Sequence, residues 1–256
     1  PMIQFTKEQI DQLDKYFYEP RNLVDLFEGS AARWAERPAI GQKDPGTRRY
    51  AWITYRRLAE RINNLRGALA RLGLRKGDTV GVILSNSIEW FVIENAVHGL
   101  GGRFIPMYEK ELVKKWKYMI KDSSVKFLFV RNEALLQKVK GFTAECPELK
   151  EIFVVYGEGE NSLPALENTG AGNPVPSYKP HWSEVAVIIY TSGTTGDPKG
   201  VILTHGNLTH CSQSGWKIYP ELNENSVALS ILPWAHSYAI SAELHNFHQF
   251  GGSIGI

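Results

Sequence analysis

Apolar positions along the chain change period repeatedly, and each change marks an element. Residues 22–37 place Leu23, Leu26, Phe27 and Trp34 at roughly helical spacing, and Pro38 stops that helix. Asp44-Pro45-Gly46 is a turn, and residues 50–54 alternate as a strand does. Thr54 can cap a following helix whose buried stripe is Leu58, Ile62, Leu65, Leu69 and Leu72, with Gly73 ending it. Residues 79–84 are a continuous apolar run, the mark of a strand covered on both faces. Ser85-Asn86-Ser87 then turns the chain into a helix through Ile88, Phe91, Val92, Asn95 and Ala96. Residues 99–102 break it, and residues 104–107 are a short strand. The pattern goes on to predict a basic amphipathic helix over 109–122, a strand over 126–130, a helix over 132–141 and a strand over 151–156. Farther on it predicts a buried strand over 185–190, helices over 207–216 and 237–250, a strand over 227–232, and the approach to another strand at 251–256. Strand and helix alternate throughout, so the expected class is α/β with a mostly parallel sheet.

Composition changes this picture at one place. Residues 157–180 are rich in Gly, Pro, Asn and Glu and read as a long surface connection. It divides the chain into a first α/β subdomain, 1–180, and the start of a second, 181–256. The chain has 256 residues, enough to bury roughly 70–75% of its unfolded surface. A net charge of +2 gives no field that argues for nucleic acid. Two cysteines, Cys146 and Cys211, imply no disulfide framework and are expected as buried or inert thiols in a reducing compartment. With apolar runs of about six residues against the roughly 20 needed to span a bilayer, and no apolar signal core near the N-terminus, the expected location is cytoplasmic. Peripheral attachment to the inner face of a membrane and a homodimeric state both stay open.

The stretch from Tyr190 to Val201, Tyr-Thr-Ser-Gly-Thr-Thr-Gly-Asp-Pro-Lys-Gly-Val, carries the chemistry. A buried strand leads into Thr191, Ser192, Gly193, Thr194, Thr195 and Gly196, and one cation, Lys199, follows. Glycines let backbone N–H groups converge on a concave spot, and hydroxyls add donors that rotate to suit. Such a loop suits a polyphosphate. It is not the common P-loop, because Pro198 breaks the Gly-Lys-[Ser/Thr] spacing. An ordinary surface loop is the bland alternative for so short a motif. A second segment, Leu232-Pro233-Trp234-Ala235-His236-Ser237-Tyr238 followed by Ala242-Glu243-Leu244, puts His236 just past a strand end, where α/β folds place ligand groups.

Twelve consecutive positions of the first segment resemble the phosphate-binding signature of the acyl-adenylate-forming (AMP-binding) enzymes. The second resembles their next signature in its long-chain acyl-CoA synthetase form. Trp52-Ile53-Thr54-Tyr55, Gly77-Asp78-Thr79-Val80, Asn86-Ser87-x-Glu89-Trp90 and Phe104-Ile105-Pro106-Met107-Tyr108 follow the family's order, so the resemblance covers about residues 20–256. It implies stacked layers of mostly parallel β-sheets and helices, as in the large N-terminal domain of acyl-CoA synthetases. It also implies a ligase that converts a fatty acid and ATP to acyl-AMP and then passes the acyl group to coenzyme A. By the same resemblance Thr191 to Gly196 and Lys199 hold the β- and γ-phosphates, Thr191 lies near Mg2+, and Lys199 and His236 serve the reaction, His236 lining the carboxylate and acyl-phosphate region. The family's adenine-contacting Gly-aromatic-Gly-x-Thr-Glu segment, its ribose-binding aspartate and its C-terminal catalytic lysine are not found. The chain is therefore expected to be a fragment that cannot turn over alone.

Three alternatives remain: an aryl-acid-activating relative, an amino-acid-activating relative, and a non-catalytic nucleotide- or acyl-binding module. His245-x-x-His248 beside Glu243 lacks further ligands for a metal, so one core-facing and one solvated histidine is the expectation. His205 and His210 have no support as ligands. Ser192 lacks the context of a nucleophile elbow. The lysine-rich helix with Trp116 and Tyr118 is expected to show a solvated face.

Overall fold

The computed structural model describes residues 6, 19–44, 46–191 and 197–256. Helix α1 (Leu23–Arg33) is capped by the Asn22 side chain, and strands β1 (Pro38–Lys43) and β2 (Tyr50–Thr54) pair antiparallel. Thr54 caps α2 (Tyr55–Arg71) by accepting from the Arg57 amide, as its hydroxyl predicts. Leu58, Ile62, Leu65 and Leu69 are buried on one stripe, while Leu72 is exposed because the helix has already ended there. Next come β3 (Thr79–Ile83), α3 (Ile88–His98, capped by Ser87), β4 (Arg103–Met107), α4 (Val113–Asp122), β5 (Val125–Val130), α5 (Glu133–Val139), α6 (Phe142–Glu145) and β6 (Glu151–Val154). The second part holds α7 (Leu163–Ala171), β7 (Val185–Thr191), β8 (Lys199–Thr204), α8 (His205–Ile218), β9 (Val227–Leu229), a π-helix (Ala239–His245), α9 (Asn246–Gln249) and β10 (Ser253–Gly255).

Two sheets organise these elements. One has the order β6-β5-β3-β4-β7-β8, parallel except for the β7–β8 hairpin. The other has the order β2-β1-β10-β9, parallel except for β1–β2. The expected division near Pro180 is thus one of chain order, since each sheet takes strands from both sides of it. Strand alternation sorts the six-stranded sheet into two cores. Val80, Val82, Phe104, Phe127 and Phe129 join the core shared with α1, α2 and α3, whereas Ile83, Ile105, Met107, Leu128 and Val130 pack against α4, α5 and α6. With both faces covered, the central strands have no polar side, which is why β3 reads as an unbroken apolar run.

Residues 157–180 are not only a connection. Ser162 caps α7 and Pro164 occupies its first turn, where a missing N–H is tolerated. The helix lies against α2 at Gly67 and Gly170, so close that a Cβ on Gly170 would come within 1.7 Å of the Asn64 carbonyl oxygen. Glycine thus serves here as a contact surface, although composition alone reads it as a breaker. No helix among the described residues is long and apolar enough to cross a membrane.

Candidate active site

Strands β4 and β7 run parallel, so the residues following them emerge at the same edge of the sheet, where α/β folds place ligands. Tyr108 follows β4 and Thr191 ends β7. The loop after β9, in the other sheet, brings His236 and Ser237 to the same place. Together these residues line a cleft of about 300 Å3 whose walls also include Tyr190 and Pro198. Thr191 and His236, 45 positions apart in sequence (236 − 191), thus share one concavity. Lys199 opens β8 directly opposite Thr191 in the hairpin ladder, which puts the two side chains on one face. Lys199, Thr191 and His236 are all exposed. Ser192, Gly193, Thr194, Thr195 and Gly196 lie outside the described residues.

The loop bearing His236 is held by groups that its own pattern does not disclose. Trp234 is fully buried, packed edge-on against Trp90 with ring centroids 5.5 Å apart. Its backbone N–H donates to Asn86 Oδ1 at 2.8 Å, and Asn86 Nδ2 donates to the Leu232 carbonyl at 2.8 Å. The Trp234 indole N–H donates to Ser230 Oγ, which in turn donates to Glu243 at 2.6 Å. These bonds fix the strand-to-helix corner two residues before His236. The Tyr238 amide donates to His236 Nδ1 at 3.3 Å, so the proton of the neutral imidazole sits on Nε2. Wide π-type winding follows at once, from Ala239 to His245, a form often found at functional sites.

On the hairpin side, the Tyr190 hydroxyl donates to Asp122 Oδ2 at 2.7 Å, tying β7 to the end of α4. Burial and this carboxylate push the Tyr190 phenol well above its usual range, so it stays a donor. Among the described residues no cluster of His, Cys, Asp and Glu could hold a metal ion.

Around α3 lies a buried polar group that sequence reasoning missed. His245 and His248 are both buried, contrary to the expectation that one would be solvated. His245 Nε2 is 3.2 Å from Glu94 Oε1, and His248 Nδ1–H donates to the Leu244 carbonyl at 2.7 Å while its ring stacks on Phe91. His98 Nε2–H donates to the Ala186 carbonyl on β7 and meets the His205 ring edge to face at 4.9 Å. Burial lowers the pKa of His98, lowers that of His205 strongly, and brings His248 to about 3, so the three rings are neutral near pH 7. Cys146 is buried with its thiol pKa raised by burial, and Cys211 is exposed.

With this geometry in place, the sequence matches the AMP-binding enzyme family over residues 27–256, and the chain belongs to that family. It is 31% identical over 234 residues to the peroxisomal long chain acyl-CoA synthetase 7 of Arabidopsis thaliana, covering 84% of this chain and 33% of that protein. It is 30% identical over 200 residues to a long-chain-fatty-acid–CoA ligase of Mycobacterium bovis, covering 75% and 33%. The chain therefore spans about a third of the length of these relatives. Among solved structures, apo MbtA of Mycobacterium smegmatis superposes with a TM-score of 0.87 at 21% identity, covering 99% of this chain and 47% of that one. A long-chain-fatty-acid-CoA ligase from Archaeoglobus fulgidus gives 0.79 at 24%, covering 93% and 47%. The fold is thus that of the N-terminal domains of adenylate-forming enzymes, of which this chain holds about half.

Proposed function

We propose that the chain is the ATP-gripping part of a fatty acid–CoA ligase, which joins a long-chain fatty acid to AMP and then hands the acyl group to coenzyme A. The observation carrying this reading is the shared cleft: Thr191, from the phosphate signature, and His236, from the second signature, line one space. The names of the similar proteins support a long-chain acid over an aryl or amino acid.

In the first step a carboxylate oxygen attacks the α-phosphorus of ATP and pyrophosphate leaves. The enzyme's part in such a transfer is alignment and neutralisation of charge. Lys199 and Thr191 grip the terminal phosphates, and the Nε2–H of His236 stands ready for an acid or acyl-phosphate oxygen. An ammonium 4 Å from a phosphate oxygen gains about 1 kcal/mol in bulk water but roughly 4 at the effective dielectric of a protein surface. The walls of the cleft therefore matter as much as the lysine. One hydroxyl, Thr191, fits a magnesium ion carried in on the phosphates, because that ion keeps most of its water and needs few protein oxygens. Bound there, it would neutralise phosphate charge.

Exchange of labelled pyrophosphate into ATP, with palmitate as the acid, tests the reading. The 256-residue chain should bind ATP yet exchange poorly, and a longer protein carrying the family's remaining segments should exchange fast. Failure of the longer protein with palmitate, alongside success with an aryl or amino acid, would replace the fatty acid with that substrate.

A further inference from the structure

Helix α4 carries four lysines, and one of them faces the cleft. Along the helix and its approach, Glu111, Lys115, Met119 and Asp122 are spaced four, four and three residues apart, so they share a face. That face runs along the end of β7. Asp122 accepts from Tyr190, while Glu111, Lys115 and Met119 line the same cleft as Thr191 and His236. The helix is firmly seated, because Trp116 is buried and its indole N–H donates to the Tyr108 carbonyl at 2.9 Å. The Lys115 ammonium is 3.1 Å from Glu111 Oε1, with the two side chains 34% and 25% exposed. The same Glu111 oxygen accepts from the Leu112 amide at 2.9 Å.

We propose that Lys115 is a second cation for the phosphate chain of a nucleoside triphosphate, held by Glu111 while the cleft is empty and released to the ligand. This rests on the reading of the cleft as an ATP site. A half-exposed pair one helical turn apart is weak. A triphosphate carries several negative charges and outcompetes a single carboxylate. Glu111 keeps its bond to the Leu112 amide when Lys115 departs, so the exchange leaves no carboxylate without a partner. The phosphate chain would then lie between an ammonium from the hairpin, Lys199, and one from the helix, Lys115, with Thr191 between them.

Calorimetry of ATP and of inorganic tripolyphosphate binding to the chain tests this. Lys115→Gln should weaken both ligands about five- to tenfold and flatten the salt dependence of binding, because one phosphate contact is lost. Lys115→Arg should stay within about twofold of the parent. Glu111→Gln should tighten both ligands about two- to threefold by removing the competing carboxylate, and should have no such effect in the Lys115→Gln background. Wild-type affinity in Lys115→Gln, with Lys199→Ala weakened, would overturn the role of Lys115 and leave the ATP site standing. Wild-type affinity in both variants, or no ATP binding by the parent chain, would remove the ATP site and this inference with it. Melting temperatures of the Lys115 variants should match the parent, so that a change in affinity reports on the cleft.

Discussion

Thr191 and Lys199 are cross-strand partners in the β7–β8 hairpin, and the histidine that lines the cleft with Thr191 comes from a loop of the other sheet. Replacing Lys199 with Ala should lower ATP affinity about tenfold by calorimetry, because this exposed ammonium beside Thr191 keeps only part of its attraction for phosphate against solvent. Unchanged affinity would put the lysine outside the phosphate site. Replacing His236 with Ala should depress acid-dependent pyrophosphate exchange in the longer protein more than it weakens ATP binding. A loss confined to ATP binding would mean that His236 belongs to the nucleotide. Both residues stand out in the sequence as candidates because each sits inside a run of consecutive positions with one chemical character. Asn86 was not, since the groups that define its role are up to 148 positions away. Tyr190 hides in the same way behind an aspartate 68 positions earlier.

At the scale of elements, the legible ones announce themselves by period and cap. Helix α2 shows its Thr54 cap and leucine stripe; β3 shows its unbroken apolar run. The misses have local causes. Strand β8 leaves four of its six residues exposed and follows the glycine-rich loop, so its short apolar run did not stand out. Strand β1 begins on a proline and runs into a turn. Helix α7 was obscured by glycine and proline that have structural uses, one as a contact surface and the other in the first turn. Gly170→Ala should accordingly destabilise the chain by about 3 kcal/mol, because the added methyl meets backbone on α2, which cannot yield as a side chain would. Urea unfolding would measure it, and a loss below about 1 kcal/mol would mean that α7 can drift off α2. Gly172→Ala, where nothing lies within 4 Å of an added Cβ, serves as the control.

Across the whole molecule, the buried histidines tie stability to pH. Each of His98, His205 and His248 has its folded pKa below the ordinary 6.5 because burial disfavours the imidazolium, with Glu94 and His245 as their charged or titratable neighbours. As pH falls below about 6.5 the unfolded chain takes up protons that the folded chain refuses, so stability declines, and for His248 the decline continues to about pH 3. By pH 4 His248 alone should account for a few kcal/mol. Urea midpoints at pH 7.5, 6 and 5 should fall in that order, and the slope should lessen in His248→Gln. Midpoints independent of pH would mean that these rings reach water in the folded state. None of this was visible in the sequence, where four scattered histidines carry no shared period; topology alone gathers them around α3.

The cleft has one wall on the six-stranded sheet and the other on the loop that leaves the four-stranded one. Any ligand that touches both Thr191 and His236 therefore acts as a further staple between two layers already joined through their apolar core and the Asn86 bonds to Leu232 and Trp234. At a hundredfold excess over its dissociation constant such a ligand adds about 2.7 kcal/mol to the folded state, and it applies that increment at the seam between the sheets. Occupancy and the alignment of the two layers are then a single equilibrium: what steadies the seam strengthens the grip on the ligand, and what loosens it lets the ligand go.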